Sequence, residues 1–263
     1  MKQDAENLNE LYKTGYEADR LSKDRSSGLE KMVTEHYLKT LIPKGATVLD
    51  ACAGFGVYAF MLAQNGYKVT AGDIVANHVE AIKEKDKSLP ILQEIYQGSM
   101  CDLSRFNINY FDAVLNLGAY YHNTDKTERD KSISESKRIL KQGGLIFVAY
   151  INKYAVFIKY CSEWRDREKD HELQLERGYY DGDERAALFY RTTPEDIEDE
   201  LKGFGFEIVN NVATDGMRYI FKNYLNELPD DLYEKFIKRH FEMCEKRTLL
   251  GYSEHGLVIG RKT

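Results

Sequence analysis

The chain is poor in cysteine, has no long apolar run and carries no surplus of positive charge. Each shortage removes a class of function. Its four cysteines, Cys52, Cys101, Cys161 and Cys244, are far apart and form no C-x-x-C pair. That spacing argues against a zinc site, an iron–sulfur cluster and a disulfide framework, and a radical reaction needing a three-cysteine cluster goes with them. No apolar run approaches the roughly 20 residues of a membrane helix. The polar start, Met1-Lys2-Gln3-Asp4-Ala5-Glu6, lacks a signal-peptide core. A cytoplasmic chain with reduced thiols and no membrane partner is expected. The net charge of -6 and pI of about 5.6 repel a phosphate backbone, so no nucleic-acid partner is expected. There is no internal repeat and no low-complexity segment.

What is present is an ordinary globular composition. The chain has 263 residues, 43% of them hydrophobic and 30% charged, enough for one large α/β domain with a cap. Residues 28–41 read as a helix, with Leu29, Met32, Val33, His36, Tyr37 and Leu41 at helical spacing. Pro43-Lys44-Gly45 stops it. Strand patterns follow at 47–50, 67–72, 91–96, 111–116 and 144–150, with helical patterns at about 55–65, 75–87 and 126–140. The alternation of strand and helix predicts a parallel sheet covered on both faces. Beyond Tyr150 the regularity stops. Residues 153–177 read as a charged helix containing Trp164, the chain's single tryptophan, and 178–193 as a hairpin. Thr193-Pro194 reads as a helix start, with Thr193 as N-cap. A sixth strand is expected at 206–209, a helical stretch at 217–247 and a last strand at 256–260. Nothing in the pattern sets the oligomeric state.

The chemistry is concentrated in Val48-Leu49-Asp50-Ala51-Cys52-Ala53-Gly54-Phe55-Gly56. An apolar strand ends in an acid and runs into a small-residue loop that opens a helix. Glycines there let the backbone turn sharply and let a ligand lie against it, beside the positive end of a helix dipole. A second acid, Asp73, ends the next strand and can accept hydrogen bonds from ribose hydroxyls. A glycine turn that merely joins strand to helix would explain the G-x-G alone; it leaves Asp73 unexplained. Gly54-Phe55-Gly56-Val57-Tyr58-Ala59 also fits G-x-G-x-x-G/A, so a nicotinamide-dependent oxidoreductase competes. An acid at the strand end is a poor neighbour for a pyrophosphate and suits a ligand carrying an ammonium. A non-catalytic nucleoside-binding protein is the third alternative.

Asp50, Gly54, Gly56 and Asp73 together resemble the class I S-adenosylmethionine-dependent methyltransferases, in the branch with small-molecule acceptors. Cys52 stands where that family usually has the first glycine of its loop. The resemblance covers about residues 45–150. It implies a Rossmann-like, doubly wound, mostly parallel seven-stranded sheet with helices on both faces and a helical or hairpin cap. It also implies S-adenosylmethionine as cofactor and S-adenosylhomocysteine as product, with no metal. The cofactor-binding residues it implies are Asp50, Ala51, Cys52, Gly54, Gly56, Asp73, Ile74, Ser99, Met100, Asn116 and Leu117. Ser99 and Met100 lie in Gly98-Ser99-Met100-Cys101-Asp102-Leu103, which falls where the family has an adenine-contacting segment.

The loop after the fourth strand, Asn116 to His122, leaves a carboxyl end where open α/β sheets bind ligands. Tyr121 and His122 are the candidate catalytic residues, His122 as a general base; both could equally be packing residues. Candidates for the acceptor side are Tyr12, Tyr16, Arg20, Tyr150, Tyr190 and His255. The expected organisation is an N-terminal helical cap segment at 1–42, a nucleoside-binding core at 43–152, an inserted cap at 153–193, and a C-terminal part of the core at 194–263. The expected reaction is methyl transfer to an O or N atom of a small molecule.

Overall fold

The computed structural model describes residues 21–163 and 189–263. Tyr12, Tyr16, Arg20, Trp164 and the expected hairpin strands before Phe189 lie outside the described residues. The chain enters through helix α1 (Gly28–Leu41) and then alternates: β1 (Thr47–Asp50), α2 (Val57–Gln64), β2 (Lys68–Asp73), α3 (Ala76–Ser88), β3 (Glu94–Gln97), β4 (Phe111–Asn116), the short α4 (Ala119–His122), α5 (Lys126–Ile139) and β5 (Leu140–Asn152). It continues with α6 (Lys153–Glu163), β6 (Arg191–Thr192), α7 (Pro194–Gly203), β7 (Phe206–Ala213), α8 (Arg218–Glu227), α9 (Asp230–Met243), α10 (Arg247–Leu250) and β8 (His255–Lys262).

These strands form one sheet in the order β3-β2-β1-β4-β5-β8-β7. Pairs from β3 to β5 are parallel, and β8 runs antiparallel to both β5 and β7. The expected seven strands make this path. The two-residue β6 adds an eighth by pairing with the end of β5. Along β1 the side chains alternate. Val48 packs with Ala113, Leu115, Phe147 and the helices α1 and α2. Leu49 packs with Val114, Ile146, Val148 and the helices α5 and α7. Both faces are therefore apolar, as a central parallel strand requires. Each fully buried Leu or Phe contributes about 1.5–3 kcal/mol.

Local chemistry sets the boundaries. The Asp196 amide donates to Thr193 Oγ1 at 3.0 Å, so Thr193 caps α7 as its position predicts. β3 begins later than the sequence pattern suggests, because Asp86 Oδ1 accepts from the amides of Ile91 and Leu92, each at 3.1 Å. The helical stretch expected at 217–247 is broken into α8, α9 and α10. Pro229 breaks it first, since it cannot donate its amide and disfavours helix at the residue before it. Among the described residues no helix is long and apolar enough to cross a membrane.

Two tyrosines lie flat over glycines directly opposite them in neighbouring strands. Tyr96 is registered with Gly72 and Tyr150 with Gly256. A Cβ on either glycine would come within 2.2 Å of the facing ring. Gly256→Ala is therefore expected to destabilise the protein by about 1–3 kcal/mol through overpacking. The expected reading is a lower urea midpoint at unchanged slope. The penalty should shrink when Tyr150 is already truncated to Ala, which a double-mutant cycle reads directly.

Candidate active site

The carboxyl ends of β1, β2 and β4 surround a cleft of about 1170 Å³, counting space open to solvent, which is ample for a nucleoside-sized ligand. Its first wall is the loop after β1. Asp50 ends the strand, and Gly54 and Gly56 then take φ of +53° and +76°, conformations that a Cβ would strain. The loop is held by its neighbours: Ala53 donates its amide to Gly72 O at 3.0 Å and Gly56 to Ala53 O at 2.7 Å.

Asp73 is the hub of the second wall. Its Oδ2 accepts from the Gly54 amide at 2.8 Å, and its Oδ1 from the Val75 amide at 2.8 Å. His78 Nδ1 lies 3.2 Å from the same Oδ1, and its ring packs against Phe55 with centroids 4.8 Å apart. Asp73 thus clamps the glycine loop to the start of α3 while still lining the cleft.

Asp50 is 1% exposed. The amides of Cys52 and Ala59 face it, yet among the described residues neither carboxylate oxygen has a partner within hydrogen-bond geometry. Burial first, and the Asp73 charge second, push its pKa up to about 7. An uncompensated carboxyl beside a second carboxylate favours a cation and repels a phosphate. S-adenosylmethionine carries a sulfonium and an ammonium and no phosphate, so the donor set fits it; a dinucleotide pyrophosphate does not fit.

The structure brings most of the expected cofactor residues together. Ala51, Cys52, Gly54, Asp73, Ile74, Ser99, Met100 and Leu117 all line the cleft, as do Tyr121 and His122. Ser99 Oγ accepts from the Cys101 amide at 3.1 Å and so shapes the adjoining turn. Three other expected residues, Asp50, Gly56 and Asn116, do not line it; Asp50 is buried behind the wall. Asn116 is fully buried; it donates to Ser132 Oγ at 3.2 Å and accepts the Tyr120 amide at 3.0 Å, bolting α4 to α5. Gly56 caps α2 outside the cleft wall.

The acceptor-side candidates are divided more sharply. Tyr150 points away from the cleft and donates to Asn211 Oδ1 at 2.9 Å. The even-numbered residues of this part of β5 face α5 and α7, as Ile146 and Val148 do. Tyr190 also lies outside the cleft wall, with the Arg129 guanidinium 3.4 Å from its ring centre. Its amide donates to Tyr121 O at 2.6 Å, so it braces α4 from behind. His255 lies outside the wall as well, bonded to Asp215.

Sequence reasoning missed His78, Phe55, Tyr58 and Glu128, all in the wall. Of these, His78 is the one beside Asp73. Its signal was positional: it lies five residues after the strand-ending Asp73, in the first turn of the following helix.

Residues 49–148 match the family described as "Methyltransferase domain". The ubiquinone/menaquinone biosynthesis C-methyltransferase UbiE of Zymomonas mobilis is 29% identical over 131 residues, 49% of this chain and 52% of that protein. The glycine/sarcosine N-methyltransferase of Halorhodospira halochloris is 23% identical over 197 residues, 74% of this chain and 64% of that protein. The chain spans about half the length of the UbiE relatives it matches. Among solved structures, an S-adenosylmethionine-dependent methyltransferase from Methanosarcina mazei superposes with a TM-score of 0.55 at 21% identity, covering 88% of this chain and 96% of that one. At that identity the likeness concerns the fold.

The buried Asp50 makes a stability prediction for the ligand-free protein. Its folded pKa of about 7 lies above the ordinary 3.8. Its contribution is therefore fully present below about 4 and is lost as the pH rises to about 7. Asp50→Asn cannot ionise and escapes that loss. The variant should melt higher than wild type, with the gap widening from pH 5 to pH 8 to about 2–4 kcal/mol and levelling above that. Thermal melts across that range would refute it by showing a constant or inverted gap.

Proposed function

We propose, for a chain that belongs through residues 49–148 to the class I S-adenosylmethionine-dependent methyltransferase family, that it transfers a methyl group to an oxygen or nitrogen atom of a small molecule. The observation that carries this reading is the pair of strand-ending carboxyls, one clamping the glycine loop and one buried without a partner among the described residues. The family's cofactor is S-adenosylmethionine and its product S-adenosylhomocysteine. When bound, the cofactor supplies an electrophilic methyl group together with its own leaving group. The chain's task is to bind, align and exclude water.

In this reading Asp73, Gly54 and Ile74 take the nucleoside, and Ser99 and Met100 border its base. Ala51, Cys52 and Leu117 line the remainder of the cofactor's path, and the charge of Asp50 favours its cationic end. Tyr121 and His122 stand on the side open to the acceptor. Tyr121 Oη donates to Leu117 O at 3.1 Å, which stiffens the turn that presents both rings. His122 packs against Phe189 with centroids 4.9 Å apart. Leu21 in the cleft wall and α6 leaving the end of β5 support giving segments 1–42 and 153–193 to the acceptor side, around the core at 43–152 and 194–263.

A nitrogen target is favoured by the extent of overlap. The N-methyltransferase relative matches over 197 residues, 74% of the chain, and the UbiE C-methyltransferase of Zymomonas mobilis over 131, 49% of the chain. The net charge of -6 supports a small molecule over a nucleic acid. Two measurements test the reading. Calorimetry should show S-adenosylhomocysteine binding and no NAD(H) binding. Asp73→Asn removes charge-assisted bonds worth about 1.5–3 kcal/mol and should weaken that binding about 10- to 100-fold. With tritiated methyl on the cofactor and a whole-cell extract, label should appear in the metabolite fraction. Label confined to protein or nucleic acid would refute the small-molecule acceptor.

A further inference from the structure

A second cluster of titratable groups stands at the same edge of the sheet, outside the cleft. β7 and β5 run parallel and β8 opposes both, so the end of β7, the end of β5 and the start of β8 all meet at the edge where β1, β2 and β4 end. His255 opens β8 opposite Ile151 and lies two strands from β4, about 10 Å across the sheet at ordinary strand spacing. It shares parity with Leu257 and Ile259, which face α1 and α2. That is the side on which the glycine loop opens into α2.

Asp215, two residues past β7, is completely buried. Its Oδ1 accepts from Ser253 Oγ at 2.7 Å and from the His255 amide at 3.1 Å. Its Oδ2 lies 2.8 Å from His255 Nδ1. The carbonyl oxygen of His255 also lies 2.7 Å from Ser253 Oγ, as the alternative acceptor for its single proton. Such a frame fixes one ring orientation and places the Nδ1 proton against Asp215, which leaves Nε2 as the basic nitrogen. No partner for Nε2 occurs among the described residues, and the His255 side chain is 18% exposed.

The charges around this pair are matched. Glu30 of α1 lies 3.7 Å from His255 Nδ1, Lys159 of α6 holds Glu254 at 3.0 Å, and Arg218 of α8 approaches Asp215 at 3.7 Å. The carboxylates of Asp215 and Glu254 with His255 have the proximity of a metal site, within 4.8 Å of one another. Yet Asp215 already accepts on both oxygens and Glu254 is neutralised by Lys159, so little remains for an ion. Burial opposes ionisation of Asp215, but His255, Arg218 and Ser253 hold its carboxyl well below the usual range. Burial also opposes protonation of His255, and Glu30 with Asp215 overcomes it, raising the imidazole above its ordinary value.

We propose that Asp215 and His255 form a proton-accepting dyad for the methyl acceptor, with His255 Nε2 as the base and Asp215 as its positioning residue. The proposal rests on the methyl-transfer reading and narrows it to a protic acceptor, an amine or a hydroxyl. The bond formed joins the acceptor atom to the methyl carbon. The bond broken is methyl–sulfur, whose electron pair stays on sulfur. The acceptor's proton passes to His255 Nε2 and then to solvent.

The test uses full-length protein, tritiated methyl on the cofactor and the metabolite fraction of the source cells as the acceptor pool. Wild-type transfer should rise with pH to a plateau reached above the ordinary histidine value of about 6.5. His255→Gln should transfer at least about 100-fold less and lose that pH limb, with S-adenosylhomocysteine affinity within about twofold of wild type by calorimetry. Added imidazole should restore part of the rate to His255→Ala, which a merely structural histidine would not allow. Asp215→Asn should lower transfer and displace the pH limb. Undiminished transfer in His255→Gln, or loss of cofactor binding in parallel with transfer, overturns the dyad. Wild type that binds the product yet labels nothing overturns the methyl-transfer reading, and the dyad with it.

Discussion

Asp73 accepts the Gly54 amide on one carboxylate oxygen and the Val75 amide on the other, with His78 beside it. These contacts tie together the end of β2, the loop after β1 and the start of α3. A buried carboxylate is stable only when its oxygens are occupied by donors, so Asp73 fixes the path of the loop around it. The two left-handed glycines follow from that path. Asp50 is the counterpart that the arrangement leaves unsatisfied. The sheet places it beside Asp73, and among the described residues no side chain balances it. One acid organises the pocket and the other leaves it short of positive charge. That shortage is a reason for a cationic ligand to bind there, and it costs stability when no ligand is present.

The parts of this site legible in the sequence are those set by local geometry. Acids that end strands and glycines that open a helix occupy fixed positions relative to the chain around them. Asp50, Gly54 and Asp73 could therefore be placed without knowing the fold's third dimension. Side-chain direction late in a strand is different. Tyr150 and His255 stand at the same edge of the sheet, but the pleat sends Tyr150 toward α7 and His255 toward α1. Strand parity would have separated them only with the register in hand. The side chain of Asn116 is likewise set by contacts distant in the chain. A buried Asn that accepts a helix amide and donates to Ser132 is a structural bolt, and its spacing resembles that of a ligand contact. Pro229 was visible in the sequence and should have divided the long helical stretch.

Strand order explains how one edge can hold both the cleft and the cluster around Asp215. β1 and β4 lie side by side, and the chain winds outward from them in opposite directions. The cofactor cleft draws on β1, β2 and β4. The cluster around Asp215 draws on β5, β7 and β8, with α1 crossing above it. The antiparallel β8 is what brings a residue's amide, ring and preceding serine to the edge together. A parallel strand would present its end there, whereas β8 presents its start, and Ser253, Glu254 and His255 arrive as one turn.

Cys52 illustrates how a departure from a family pattern is absorbed. A side chain at the first loop position must find room against the segment that follows β4. That segment begins Leu117-Gly118, and a Cβ built on Gly118 would stand 3.2 Å from the Cys52 Cβ. The small residue missing from one side of the contact is thus present on the other. Gly118 has an extended φ of -160°, which any residue adopts, so backbone conformation does not demand glycine there. The demand comes from the Cys52 Cβ across the gap, the sulfur lying at an ordinary 3.9 Å. The two positions form one packing unit, and the loop keeps its course because the space required at 52 is released at 118.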